Sequence, residues 1–376
     1  MVEIKEVTKK QELKKFVSFP VKLYKDCEFY VPSLYGDEIK MTDKNKNFNL
    51  DYCDCKCFLA YKDGKVVGRV MGINSHTANE NALEKEVRFS RFDAINDLEV
   101  FDALIKAVED YGKSYGAKII HGPWGFNDTD REGMLIDGFD KISTYATNYS
   151  YPYYHENLEK LGFTPESKWE EWRFIIPSEP DKRISELAKK IEKRLNVKDV
   201  ARTMSVKKIL KKYADQFFET YNESYGHLDG FIPFEGKAKD SLLSQFATII
   251  NERYLSFIVN EEGEVVAFGV MLPSLAKALV KSRGKLFPTG FIGVLSSINK
   301  PKALEMALFG VKEKYKNSGV TAIIIANIMK NIIEDKIVNV ESNPMLDTNF
   351  LIRQQWKFVD KEVIKKRQTY KKEIVK

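Results

Sequence analysis

With 376 residues, 43% of them hydrophobic and 30% charged, the chain has room for two domains that each bury a core. Its net charge of +6 is small beside 60 basic and 54 acidic side chains, which argues against a nucleic-acid partner. No apolar run reaches the roughly 18 residues of a membrane helix. Met1-Val-Glu-Ile-Lys-Glu6 carries no apolar signal core, so a cytoplasmic protein without a membrane partner is expected.

Residues 9–18 read as a short helix, followed by an aromatic loop, Phe19-Pro20-Val-Lys-Leu-Tyr24. Cys57–Tyr61 and Lys65–Ile73 are β-rich runs around Asp63-Gly64, a strong hairpin signal. A further strand is expected near Phe89–Phe92. Phe101–Tyr115 places apolar residues at 101, 104, 105, 108 and 111, the spacing of one helix face. Lys118–His121 reads as a short buried strand running into Gly122-Pro123-Trp124-Gly125. Tyr153–Leu161 reads as a helix stopped by Gly162, and Trp172–Ile176 as a strand. Trp124 and the tyrosines at 149, 151, 153 and 154 are expected to pack a core or wall a substrate site.

Pro177 and Pro180 break the chain before a charged amphipathic helix, Asp181–Leu195, with Ile184, Leu187, Ala188, Ile191 and Leu195 on one face. Helices follow in 205–225 and 237–252, then a hairpin over 255–272 turning at Glu262-Gly263. Segment 273–300 holds Pro273, Pro288 and Gly290 and reads as an insertion with mobile parts. Ala303–Val311 is a strand, Val320–Glu334 a helix, Lys336–Val340 a strand and Asn349–Gln355 a helix; Val359–Lys371 supplies the final strand or strands of the second half.

The two halves echo each other. Phe58-Leu-Ala-Tyr-Lys-Asp-Gly64-Lys-Val66-Val67 matches Phe257-Ile-Val-Asn-Glu-Glu-Gly263-Glu-Val265-Val266 at an offset of 199. Asn148 stands fifteen positions before Phe163, and Asn343 fifteen before Phe358, an offset of 195. Two landmarks at nearly one period indicate a duplicated domain. The expected partition is 1–178, a linker helix at 179–200, and 201–376. The α/β element order in each half implies a mixed sheet with helices on both faces.

Cys53, Cys55 and Cys57 alternate along one strand, but no second cysteine pair exists and His76 lies nineteen residues beyond, so small apolar residues are expected rather than a metal site. His76, His121, His155 and His227 have no metal spacing. Nucleophile-elbow, zincin and phosphate-loop motifs are absent.

Val311-Lys-Glu-Lys-Tyr-Lys316-Asn-Ser318-Gly319-Val320-Thr321, between an expected strand and helix, resembles the CoA-binding fingerprint of the GNAT superfamily of acyl-CoA-dependent N-acyltransferases. Lys316 takes the Arg/Gln place of that fingerprint, Gly319 matches, and Thr321 replaces its last small residue. A helix N-terminus of this kind offers unpaired amides to a diphosphate, with glycine allowing close approach. More narrowly, the chain resembles bacterial tandem acyltransferase-fold proteins through Phe19-Pro20, Leu23-Tyr24, Val31-Pro32, Leu34, Gly64-Lys-Val-Val-Gly68-Arg69 and Gly133-Met-Leu-Ile-Asp-Gly138-Phe139-Asp140.

The resemblance implies two tandem domains, each a mixed, mostly antiparallel sheet with helices on both faces. It places acetyl-CoA or another acyl-CoA in the second half, on Phe309, Gly310, Val311, Lys316, Ser318, Gly319, Val320, Thr321 and Asn343. Glu305 and Glu341 become candidate bases. The family's thiolate-protonating tyrosine falls on Arg353, which cannot donate at neutral pH, and Tyr315 is the substitute considered. In the first half, Asp93-Ala-Ile-Asn-Asp97-Leu-Glu99-Val100 has no glycine and three carboxylates, so no cofactor is expected there. The implied function is transfer of an acetyl or other acyl group to a primary amine of a small molecule, by a monomer or homodimer without metal. A non-catalytic binding protein and an aminoacyl transferase of the peptidoglycan-bridge type are the alternatives.

Overall fold

Asp63 and Gly64 both adopt positive φ, 53° and 71°, and so turn one long strand back on the next, as the Asp-Gly pair requires. In the computed structural model, which describes residues 1–80, 82–226, 231, 233–349, 353, 356 and 359–375, those strands are β2 and β3. In the first half, the strands are β1 Glu3–Glu6, β2 Cys53–Lys62, β3 Lys65–Ser75, β4 Glu86–Ala94, β5 Ile119–Gly122, β6 Met134–Asp137 and β7 Thr164–Phe174. Its helices are α1 Lys10–Leu23, α2 Tyr35–Glu38, α3 His76–Glu80, α4 Leu98–Lys113 and α5 Tyr153–Lys160. Helices α6 Lys182–Leu195, α7 Val206–Tyr225, α8 Gly236–Ile249, α9 Ala276–Ser282, α10 Gly290–Asn299 and α11 Thr321–Glu334 follow. They are interleaved with strands β8 Val197–Asp199, β9 Leu255–Asn260, β10 Val265–Pro273, β11 Ala303–Val311, β12 Asn339–Ser342, β13 Met345–Leu346 and β14 Lys361–Glu373.

These elements form two compact units, one of Met1–Glu170, Ala276–Gly293 and Ile364–Lys376, the other of Glu171–Leu275 and Val294–Val363. In the first, the sheet order is β1-β2-β3-β4-β5-β14, with β4 and β5 parallel and the other pairs antiparallel. In the second, the order β8-β9-β10-β11-β12-β7 repeats the pattern, with β11 and β12 parallel. The duplication is therefore real at the level of topology. It extends to packing. A Cβ on Gly68 of β3 would meet Leu104 of α4 at 2.7 Å, and one on Gly269 of β10 would meet Ile324 of α11 at 2.4 Å. Each glycine lets its helix lie directly on the sheet.

The units do not follow the sequence halves. β14 lies in the second half of the sequence, but it pairs with β5 through Tyr370↔Gly122 and with β6 through Gln368↔Met134, closing the first unit. The second unit is closed instead by the end of β7, where Arg173 pairs with Glu341. The expected linker helix is part of the second unit: Asp181 caps α6, and Ala188 and Ile191 are buried in its core.

Further departures are local. The aromatic stretch after residue 18 is helical through Leu23, with Pro20 inside α1. A proline there removes the N–H that would bond Phe16 O, and the Arg69 guanidinium donates to that carbonyl at 3.1 Å instead. Segment 273–300 contains α9 and α10. β12 begins at Asn339 rather than 336. The expected helix 349–355, Phe358 and His227 lie wholly or mostly outside the described residues. Cys53 and Cys57 are buried, and burial pushes their thiols up, that of Cys53 to about 12. Among the described residues no His/Cys/Asp/Glu cluster is arranged to hold a metal, and no helix is long and apolar enough to cross a membrane.

Candidate functional site

β11 and β12 run parallel through Ala303↔Asn339, Leu304↔Val340, Glu305↔Glu341 and Met306↔Ser342, and then part, because β12 ends while β11 continues along β10 to Val311. Paired residues of adjacent strands share a face, so two carboxylates stand side by side one step before the opening. Both are buried, at 7% and 3% exposure. Ser274 Oγ donates to Glu305 Oε1 at 2.6 Å, while Glu341 Oε1 accepts from Asn339 Nδ2 at 2.9 Å and Arg173 Nη2 at 3.3 Å.

Beyond Met306, the backbone groups of Phe309 and Val311 point away from β10 toward the opening. Hydroxyls at the end of α7 meet them. Phe309 N–H donates to Tyr225 Oη at 3.1 Å, and the same hydroxyl donates to Phe309 O at 3.2 Å. Ser224 Oγ accepts from Val311 N–H at 3.2 Å and donates to Thr220 O of its own helix at 2.7 Å, with Val311 O 3.3 Å away. Gly310 between them faces Phe268 of β10. Between the sheet and α11 lies an apolar cavity of about 20 Å³, lined by Gly269 and Val270 of β10, Met306 and Phe309 of β11, Ile328 of α11, and Trp356, with the Phe309 and Trp356 rings 5.5 Å apart. Just past β12, Asn343 Oδ1 is buried without a hydrogen-bond partner among the described residues. A buried acceptor left open in this way suits an amide N–H donor.

The connection from β11 to α11 carries the resemblance. A short turn at Glu313–Tyr315 uses the Tyr315, Lys316 and Ser318 amides internally, and Val320 N–H donates to Ser318 Oγ at 3.3 Å. The amides of Gly319 and Thr321 have no acceptor among the described residues, and the first turn of α11 holds no acid. Gly319 adopts φ +85°, and Arg194 of α6 donates to Ser318 O. Lys316 is ion-paired with Glu313 of the same turn. The Val311 and Val320 side chains are core residues, so only their backbone faces a ligand. This loop fits a diphosphate through its bare amides and helix dipole. One side chain already presses on it: a Cβ at Gly319 would lie 2.8 Å from Ile191 Cδ1.

The expected site residues fall into two groups. Glu305, Glu341, Phe309 and Asn343 gather at the opening. Tyr315, Lys316, Ser318, Gly319 and Thr321 lie beyond the far end of β11, about 20 Å along the strand from Glu305 at 3.3 Å per residue. Tyr315 also points elsewhere, its hydroxyl lying 3.4 Å from Asn260 Nδ2 at the β9–β10 turn. The hydroxyl at the opening is that of Tyr225, which sequence reading missed because nothing in an amphipathic helix marks which tyrosine reaches a strand 84 positions away.

In the first unit the equivalent opening is filled by its own chain. β4 and β5 pair from Glu86↔Ile119 to Arg88↔His121, after which Trp124 N–H donates to Phe89 O at 2.9 Å. The N-terminus of α4 is capped by Asp97, itself held by Lys62 at 2.6 Å. Around the small cavity behind β4 lie ion pairs the sequence did not reveal, Arg69–Asp93 buried at 2.7 Å, and Arg91–Glu38 at 3.3 Å and Arg91–Asp130 at 3.2 Å half-buried. Their only sequence signal is Arg and Asp inside the apolar run Phe89-Ser-Arg91-Phe-Asp93-Ala94. Tyr154 closes this region, buried against Phe92 and Phe101 and bonded to Tyr24 at 2.9 Å, so the aromatic cluster is core.

The two repeated sheets, each opening after a parallel pair, have a counterpart among solved structures. A tandem GNAT protein from the clavulanic acid biosynthesis pathway superposes with a TM-score of 0.55 over 100% of this chain and 99% of its own, at 10% identity. The chain has a tandem GNAT fold. No family model matches it. Protein YghO of Escherichia coli (strain K12) is 26% identical to this GNAT-fold chain over 377 residues, covering 97% of it and 94% of YghO. The bacterial ceramide synthase of Caulobacter vibrioides (strain NA1000 / CB15N) is 25% identical over 312 residues, covering 82% and 79%.

Proposed function

We propose that this chain is an N-acyltransferase that moves an acyl group from acyl-CoA to the primary amine of a small molecule in the cytoplasm. The observation that carries the reading is the parting of β11 and β12 immediately after two register-paired buried carboxylates. Gly319 and Thr321 amides would receive the diphosphate, and Asn343 Oδ1 an amide of the pantetheine arm. The amine attacks the thioester carbonyl, forming C–N and breaking C–S. Glu305 or Glu341 takes the proton shed by nitrogen, and Tyr225 is placed to return one to the departing thiolate. The first unit, with its opening filled, holds no cofactor in this scheme. A relative named for ceramide, an amide of a long-chain amino alcohol, supports a long acyl chain or a long amine.

The alternative is a binding protein without turnover; in either case Ser224 and Tyr225 already satisfy the β11 edge that a pantetheine arm would use and must turn aside for it. Calorimetric titration with acetyl-CoA and a long-chain acyl-CoA, followed by thiol release with a panel of amines, separates the two. Binding with release supports transfer, binding alone supports the alternative, and no binding at millimolar ligand removes both.

A further inference from the structure

α10, Gly290-Phe-Ile-Gly-Val-Leu-Ser-Ser-Ile-Asn299, has no charged residue and no buried one. Phe291, Ile292 and Leu295 are 39%, 58% and 50% exposed, and Phe287 just before the helix is 78% exposed. Spacings of three and four place Leu295 on one face with Phe291 and Ile292, and the Phe287 ring, just before the helix, lies 5.9 Å from that of Phe291. Single exposed apolar residues are ordinary, but four large ones on consecutive turns form a patch that water disfavours.

The surrounding charge names the cover. From Ala276 to Lys302 there are six cations, Lys277, Lys281, Arg283, Lys285, Lys300 and Lys302, and no acid. All six are exposed, and none has a carboxylate partner among the described residues. The segment is also held firmly at its base: Leu279 is fully buried, and Gly284 O accepts from Tyr35 N–H at 2.9 Å. The patch is thus presented rather than loosely attached.

We propose that α10 and Phe287 dock onto the surface of an anionic lipid bilayer, the apolar side chains entering the headgroup–acyl boundary and the cations facing acidic headgroups. Interfacial helices combine these two features, and neither requires a helix that crosses the membrane. The proposal holds whether or not the transferase site turns over.

Sedimentation of the full chain with vesicles of phosphatidylcholine, alone or mixed with phosphatidylglycerol, tests this. Binding is expected to the mixed vesicles only and to weaken with added salt. Each cation near such a surface strengthens association about fivefold, so K281E/R283E/K285E should weaken it by a hundredfold or more, on the order of that factor cubed. F287S/I292S/L295S should abolish it while leaving the thermal midpoint unchanged. As a second readout, Phe287→Trp emission should shift to the blue on mixing with the anionic vesicles, because Trp124, Trp169, Trp172 and Trp356 are buried. No sedimentation with mixed vesicles, equal binding to neutral ones, or equal binding by both variants overturns the proposal. So does a dimer that the apolar variant converts to monomer without any vesicle binding, which would assign the face to a second copy of the chain.

Discussion

Arg69 and Pro20 should be energetically coupled, although they are 49 positions apart. Arg69 is 6% exposed; its Nε donates to Asp93 Oδ2 at 2.7 Å, and its Nη1 donates to Phe16 O at 3.1 Å. Replacing it with Met strands the Asp93 carboxylate with the Tyr24 hydroxyl at 3.2 Å, and breaking such a buried pair costs about 3–5 kcal/mol. The same change orphans Phe16 O, because Pro20 has no N–H to offer it, which adds roughly 1–3 kcal/mol. Arg69→Met should therefore destabilise the first unit by about 4–8 kcal/mol. Pro20→Ala restores an in-helix donor to Phe16 O, so the double variant should recover about 1–2 kcal/mol of that loss. Urea titrations of the four chains, followed by circular dichroism, measure the coupling. Additivity to within about 0.5 kcal/mol would refute the claim that the guanidinium replaces the missing helix bond.

Glu86 supplies a pH test. Burial alone would raise its pKa, but the His121 ring and Arg88 prevail and hold the carboxyl down at about 2, against 4.5 ordinarily. Its contribution is present above pH 4.5 and is lost as pH falls toward 2; Glu86→Gln should remove up to about 3 kcal/mol at neutral pH and flatten acid unfolding across that window. Gly319→Ala should cost about 1–2 kcal/mol for its positive φ and also weaken acyl-CoA binding; a stability loss with unchanged affinity would confine the glycine to packing. Under the transferase reading, Glu305→Gln should slow transfer about 10²–10⁴-fold with acyl-CoA affinity retained, as read by thiol release and calorimetry. Tyr225→Phe should both destabilise the second unit and slow transfer, whereas Tyr315→Phe should do neither measurably.

Local signals in the chain were sufficient for most elements. Asp63-Gly64 specified a hairpin because both residues tolerate positive φ, and the apolar spacing from Phe101 onward specified the buried face of α4. The echo at an offset of 199 pointed to two domains, and the strand–loop–helix around Gly319 has the backbone form its residues suggested. Where reading failed, the cause was a distant partner. Pro20 looked like a helix breaker because Arg69, its compensation, sits on β3, distant in the chain. Tyr315 was named for its place beside the loop in the chain, whereas the hydroxyl bonded to Phe309 of β11 is that of Tyr225.

What the sequence by itself determined, then, is which segments are helix or strand and that the pattern occurs twice, since capping, turn geometry and periodicity are properties of neighbouring residues. Only the tertiary structure decided that β14 pairs with β5, 248 positions earlier at Tyr370↔Gly122, and that Glu305 and Glu341 stand in register at the opening. Periodicity reports which face of a strand is buried but carries no label for its neighbour. That choice is made by packing and hydrogen bonding among residues hundreds of positions apart.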